Sequence, residues 1–198
     1  MRIKPNALHY DPGSGSGAGN YVVFVGRLSP EKGLETLVKA WSSDWTLPEL
    51  KIIGDGPMAV WLQDQTRQDS RIQWKGKMPL EQLLAVVGEA KFLVMPSIWY
   101  EPFGRTTIES LAKGTPVIGS RIGGTAEIIS NYVDGYLFQP GDAVDLASTI
   151  RQGFRLSSAQ QQKMRQAARE KFLNNYTTQA NYLALSKLYS EVCDWSSN

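Results

Sequence analysis

The sequence predicts an α/β fold: a Rossmann-like, doubly wound parallel sheet of about six strands with helices on both faces. Two observations carry that prediction. Short, near-continuous apolar runs recur along the chain, as expected of strands covered on both sides. Each run is followed by a segment of helical period, and strands that alternate with helices close into a parallel sheet through right-handed crossovers. Ligands of such sheets lie beyond the carboxyl ends of the strands, so the loops that follow the strands are the places to look for chemistry.

The first strand is read at Tyr21–Gly26 (YVVFVG). The helix after it, Glu35–Trp41, is set by Leu34, Leu37, Val38 and Trp41 falling on one face. Leu50–Gly54 is the second strand, followed by a helix over Met58–Arg67. Arg71–Lys75 is the third, followed by a helix over Leu80–Val87. Lys91–Pro96 is the fourth, with a helix over Arg105–Lys113. Thr115–Ser120 is the fifth, with a short helix over Ala126–Ser130, and Tyr136–Gln139 is a short sixth. Helices over Val144–Arg155, Ser158–Phe172 and Thr178–Asp194 complete the chain. Trp41, Trp45, Trp61 and Trp74 read as core or near-core residues. Pro12–Gly19 (PGSGSGAG) reads as a flexible stretch. The expected organisation is therefore a leader over 1–19, the main domain over 20–175 and a terminal helix over 176–198.

The bulk numbers narrow the function. Of the 198 residues, 42% are apolar and 20% charged, which suits one folded domain. A net charge of +2, with no long Lys/Arg run, argues against nucleic acid as a partner. Cys193 is the lone cysteine, so no internal disulfide is expected and a reducing, cytoplasmic setting is the natural reading. The first residues have no apolar core of a signal peptide, and no run reaches the ~18 apolar residues of a membrane span. His9 is the single histidine and reads as a solvated side chain. No Cys/His cluster has metal-ligand spacing, no G-x-S-x-G occurs, and no G-x-G-x-x-G follows the first strand.

Four loops remain. Gly26-Arg27-Leu28-Ser29-Pro30-Glu31-Lys32-Gly33 opens a helix and carries two cations, one able to grip phosphate as a fork and the other as a point charge. Gly54-Asp55-Gly56-Pro57 lets a backbone or ligand come close. Pro96 to Glu109 places Glu101 before a helix and Glu109 inside it, with Gly104 at the helix start and Trp99 and Tyr100 as candidate pocket walls. Glu109 among Ile108, Leu111 and Ala112 is costly to bury without a partner, which favours a ligand-facing role. Gly123-Gly124-Thr125-Ala126-Glu127 makes a fourth anion-friendly turn. Each loop, taken singly, also reads as an ordinary strand-to-helix turn with solvated charges.

Together the four resemble glycosyltransferase family 4, the retaining transferases of the GT-B fold. Phe24 to Gly33 is similar to the family's opening strand and phosphate loop, and Gly54 to Pro57 to its G-x-G-P turn. Glu101 and Glu109 fit its E-x7-E signature, within a PS-x-W-Y-E-P-F-G stretch, and Gly123 to Glu127 fits its G-G-x-x-E turn. The resemblance runs from about Ile3 to Tyr189.

The resemblance implies a nucleotide-sugar donor site. Gly26 and Gly54 would shape it. Arg27 and Lys32 would hold the diphosphate. Glu101 would touch the donor sugar. Backbone of Phe103, Gly104, Arg105 and Thr106 would reach sugar and phosphate, Glu109 would hold the ribose, and backbone near Lys77 and Met78 would meet the base. The donor expected first is a UDP-sugar, with GDP- and ADP-sugars as alternatives, and no cofactor or metal is expected. Arg105-Thr106-Thr107 departs from the apolar residues usual there, which puts the packing of the donor sugar in doubt. Family members carry a second, preceding domain that takes the acceptor. Its absence here reads as a fragment that is inactive alone, with the terminal helix crossing back to that domain and any peripheral membrane contact made through it. Two other readings stay open: a non-catalytic half-protein that binds nucleotide-sugars, and an epimerase or phosphorylase on the same fold.

Overall fold

The computed structural model describes residues 5–195, with side chains up to 191. Met1 to Lys4, within the leader, and the Cys193 side chain lie outside the described set. One sheet holds six parallel strands: β1 (Tyr21–Val25), β2 (Glu49–Ile53), β3 (Ile72–Trp74), β4 (Phe92–Met95), β5 (Val117–Ser120) and β6 (Gly135–Phe138). Their order is β3-β2-β1-β4-β5-β6. The chain thus winds outward from β1 in one direction and from β4 in the other, and the crevice for a ligand falls between the loops leaving these two strands.

The strands form because side chains alternate between two apolar cores. Val22, Phe24, Leu50, Ile52, Phe92 and Val94 face one core with α1 (Leu34–Ser43), α2 (Ala59–Thr66) and α6 (Ala143–Phe154). Val23, Val25, Ile53, Leu93, Met95 and Val117 face the other, with α3 (Leu80–Glu89), α4 (Arg105–Ala112), α5 (Gly123–Ile128) and α7 (Ser158–Asn175). Helix starts are written locally. Asp142 caps α6 through its carboxylate, and Ser157 with Gln160 forms a capping box on α7. The last helix, α8 (Thr178–Trp195), leaves Tyr182, Leu183, Leu185 and Tyr189 exposed.

Three expectations need correction. Helix α5 starts at Gly123 rather than Ala126: both glycines sit in its first turn, where N–H groups need no intrahelical partner. Trp45 is 73% exposed; it lies just past α1, covered on one ring face by the Arg71 guanidinium at 4.7 Å.

The Gly/Ser stretch is fastened rather than loose. Gly15, Gly17 and Gly19 donate N–H bonds to the carbonyls of Lys113, Gly88 and Glu89 at 2.9, 3.0 and 2.8 Å. Buried Arg165 donates to the carbonyls of Gly15, Gly88 and Ala90 at 2.9, 3.0 and 3.2 Å. These bonds satisfy a cation that burial would otherwise penalise. Further out, the Leu8 N–H bonds the Tyr176 carbonyl at 2.9 Å and Asp11 pairs with Arg169 at 2.6 Å.

Candidate functional site

The loops after β1, β2 and β3 are bonded to one another through backbone. The Gly26 N–H donates to the Ile53 carbonyl at 3.1 Å, Leu28 N–H to Asp55 at 3.0 Å and Gly54 N–H to Gly76 at 2.8 Å. Gly54, at φ 141°, permits this closeness: a Cβ there would stand 1.8 Å from the Gly26 carbonyl oxygen. The result is one wall of a cavity of about 720 Å3 lined by Gly26, Arg27, Gly54, Asp55, Lys77 and Met78, with others. Lys77 and Asp55 pair across its rim at 3.6 Å. Arg27 is exposed and, among the described residues, its guanidinium has no hydrogen-bond or ion-pair partner.

The other wall belongs to β4. A short 3-10 turn, Pro30–Lys32, ends at Gly33, whose φ is 72°. A Cβ at Gly33 would fall 1.8 Å from the Pro96 carbonyl oxygen, so only glycine lets the loop after β1 press on the loop after β4. The Ile98 N–H donates to the Glu31 carbonyl at 3.0 Å across the same junction. Lys32 is thereby set on the Glu101 carboxylate as an ion pair, and Glu101 also accepts from the Ser97 hydroxyl at 3.0 Å. The Glu101 backbone carbonyl accepts the Gly124 N–H at 2.7 Å, which draws in the loop after β5.

Helix α4 begins directly behind Glu101. Its first-turn N–H groups have no partners within the helix and carry the positive end of its dipole. Glu109, one turn further, is buried. Its carboxylate accepts from the Arg105 Nε at 3.0 Å and from the Tyr10 hydroxyl at 3.4 Å. Burial first, and the Glu109 charge second, push the Tyr10 hydroxyl pKa above its ordinary value. A second cavity of about 720 Å3 opens between the leader and α4, lined by His9, Tyr10, Glu101, Phe103, Gly104 and Arg105, among others.

The expected site residues therefore divide. Gly26, Arg27, Gly54, Lys77 and Met78 share the first cavity; Glu101, Phe103, Gly104 and Arg105 share the second. Lys32 ties the two walls together, while Thr106 and Glu109 line neither cavity. Trp99 and Tyr100 stand exposed and line neither, contrary to expectation, because the chain turns outward between Ser97 and Glu101. Three participants escaped the sequence reading. Arg105 as a partner of Glu109 was legible in their (i,i+4) spacing. Ser97 had no signal beyond its nearness to Glu101. Tyr10 had none, since 99 positions separate it from Glu109. Among the described residues no group of three or more His, Cys, Asp or Glu side chains is arranged to hold a metal ion, and no helix is long and apolar enough to cross a membrane.

A doubly wound sheet whose switch-point crevice gathers a helix N-terminus, two cations and two carboxylates defines a class of nucleotide-handling α/β domains. Residues 13–171 match the family model described as Glycosyl transferases group 1. The chain belongs to that family, and its fold is that of one half of a GT-B glycosyltransferase.

Among curated relatives, a glycogen synthase of Mycobacterium tuberculosis is 32% identical over 180 residues, covering 85% of this chain and 42% of that protein. A GDP-mannose-dependent alpha-mannosyltransferase of Corynebacterium glutamicum is 36% identical over 141 residues, covering 71% of this chain and 31% of the relative. The chain thus spans less than half the length of these relatives. Among solved structures, sucrose-phosphate synthase from Thermosynechococcus elongatus superposes with a TM-score of 0.82 at 26% identity, over 100% of this chain and 53% of that one. HepE of Anabaena, crystallised with UDP-glucose, gives 0.73 at 25% identity, over 88% of this chain and 50% of that one.

Proposed function

We propose that this chain is the nucleotide-sugar donor domain, the C-terminal half, of a retaining family 4 glycosyltransferase, which moves a sugar from a nucleoside diphosphate to an acceptor hydroxyl. The observation that carries the reading is the meeting of Lys32 and Glu101 at the switch point, beside exposed Arg27 and the start of α4. A leaving diphosphate builds negative charge. Arg27, Lys32 and the first-turn N–H groups around Phe103 to Thr106 are positive groups placed to stabilise such charge.

The remaining roles follow the chemistry of each group. Glu101 accepts from hydroxyls of the donor sugar, and Glu109 from those of the ribose. Backbone at Lys77 and Met78 meets the base, at the end of the first cavity furthest from β4. Uracil is the base favoured here: HepE, whose fold this chain shares, was crystallised with UDP-glucose. The Corynebacterium relative, named as GDP-mannose-dependent, keeps guanine as the alternative. The acceptor is taken by a second domain, consistent with the chain spanning 42% of the mycobacterial relative, and transfer requires both. That second domain also makes any peripheral contact with the inner face of a membrane.

The test is transfer by the chain assembled with its acceptor domain. Glu101→Ala should lower turnover more than nucleotide affinity, and an α-linked donor should yield an α-linked product by NMR. Equal losses in turnover and affinity would remove the role of Glu101, and an inverted product would remove the retaining mechanism.

A further inference from the structure

Arg105 is placed against two local preferences. It is the first residue of α4, where the helix dipole favours anions and disfavours a cation. It also precedes its acidic partner by four residues, the reverse of the order that stabilises an (i,i+4) pair, in which the acid comes first. A residue that breaks local rules without gain in stability is a candidate for function.

The link it makes is of an exchangeable kind. The Arg105 side chain is 69% exposed and the Glu109 side chain 10%, so solvent screens the pair and its contribution to stability is small. Glu109 nonetheless cannot stand alone: its carboxylate is buried among α4 neighbours and is costly without donors. Among the described residues the other donor on it is the Tyr10 hydroxyl, at the long distance of 3.4 Å. Arg105 thus satisfies Glu109 from the side that opens on the second cavity, beside Glu101 and Gly104.

We propose that Arg105 is a specificity-determining residue that alternates between two anions. In the nucleotide-free protein it neutralises Glu109. When a nucleoside diphosphate enters, ribose hydroxyls replace the guanidinium on Glu109, and Arg105 turns to the diphosphate at the start of α4 as a third cation beside Arg27 and Lys32. This inference rests on reading the site as a nucleotide-sugar donor site. Its consequence is selective. A ligand with a ribose but no phosphate must displace Arg105 from Glu109 and gives it nothing in return. A nucleoside diphosphate supplies both the hydroxyls and the new anion. Arg105 therefore favours diphosphates over nucleosides, and removing it weakens the diphosphate without weakening the nucleoside.

The experiment is a ligand-observed NMR titration of the 198-residue chain with UDP, GDP and ADP, and with uridine, guanosine and adenosine. It compares the unaltered protein with R105L and R105K. For the base that the unaltered protein accepts, R105L should weaken the diphosphate roughly 10-fold or more, the loss of one charge-assisted contact. It should leave the matching nucleoside equally or more tightly bound. R105K, which keeps the charge, should recover most of the diphosphate affinity. Parallel losses of diphosphate and nucleoside in R105L would mean that Arg105 only props Glu109, which overturns the proposal while leaving the donor site standing. No binding of any nucleotide by the unaltered chain would overturn the donor reading itself. R105L also strips a donor from buried Glu109, so a thermal transition is measured on each variant, and affinities are compared at a temperature where all three proteins are folded.

Discussion

The two walls of the cleft are built on opposite plans. The wall from β1, β2 and β3 is backbone, glycine and one exposed guanidinium: Gly26, Gly54 and the Lys77–Met78 stretch shape it, and Arg27 waits there without a partner among the described residues. The wall from β4 and α4 is already neutralised. Glu101 holds Lys32 and Ser97, and Glu109 holds Arg105 and Tyr10. A ligand meets the first wall with at most the exposed Lys77–Asp55 pair at its rim to disturb, whereas at the second it must exchange contacts that already exist. Mutations on the open wall should therefore act on affinity alone. Mutations on the paired wall should act on stability and affinity together.

The largest effect should come from breaking the junction itself. Gly33→Ala forces a side chain into the Pro96 carbonyl at a left-handed position, which should cost ~3 kcal/mol or more. Denaturant unfolding measures it, and an unchanged midpoint would show that the two walls are not locked together at this point.

On the open wall, Arg27→Ala should lower affinity for a nucleoside diphosphate by ~1.5–3 kcal/mol. Its stability should stay within about 0.5 kcal/mol of the unaltered chain, since an exposed side chain is removed. Calorimetry and thermal unfolding on the same sample separate the two quantities. Next comes the paired wall: Lys32→Ala and Glu101→Gln should be non-additive in unfolding free energy, with a coupling of about 0.5–3 kcal/mol. A coupling of zero would make the Lys32–Glu101 contact incidental.

The smallest effect at neutral pH concerns what both walls share. Tyr21 opens β1, donates to the Val86 carbonyl at 2.7 Å, and is pushed up to about 12 by burial. A raised folded value means that the neutral hydroxyl stabilises the fold fully below the unfolded value near 10, and that this contribution is lost as pH rises through about 12. Unfolding measured across that alkaline range should show stability falling, and Tyr21→Phe should flatten the fall. Both walls should be lost together there, because they hang from one sheet.

The same contrast explains what could be read from the sequence. Strands were legible because β1 and β4 are uninterrupted apolar runs, and the loops that follow them were legible because the sheet type dictates where to look. The open wall is made of turns that each directly follow a strand, so Gly26, Arg27 and Gly54 could be picked out from the strand ends, whereas Lys77 and Met78 came only with the family resemblance. The paired wall depends on partners brought from afar. Tyr10 reaches Glu109 only because the leader is fastened by Arg165 and Arg169, and composition misread that leader as flexible. Glycine and serine report freedom in the unfolded chain and say nothing of the carbonyls that will receive their N–H groups. Trp45 was misplaced for a similar reason. Its neighbour Trp41 lies on the buried face of α1, but the helix ends at Ser43 and its periodicity stops with it.

If this cleft is a donor site, it binds a nucleoside diphosphate through the open wall. The decisive measurement is calorimetric titration of the unaltered chain and of Arg27→Ala with UDP, GDP and ADP, with and without magnesium. One of the three should bind the unaltered chain, magnesium should leave its affinity unchanged, and Arg27→Ala should weaken it at least ~10-fold. Binding of none of the three, or equal affinity in Arg27→Ala, would contradict it.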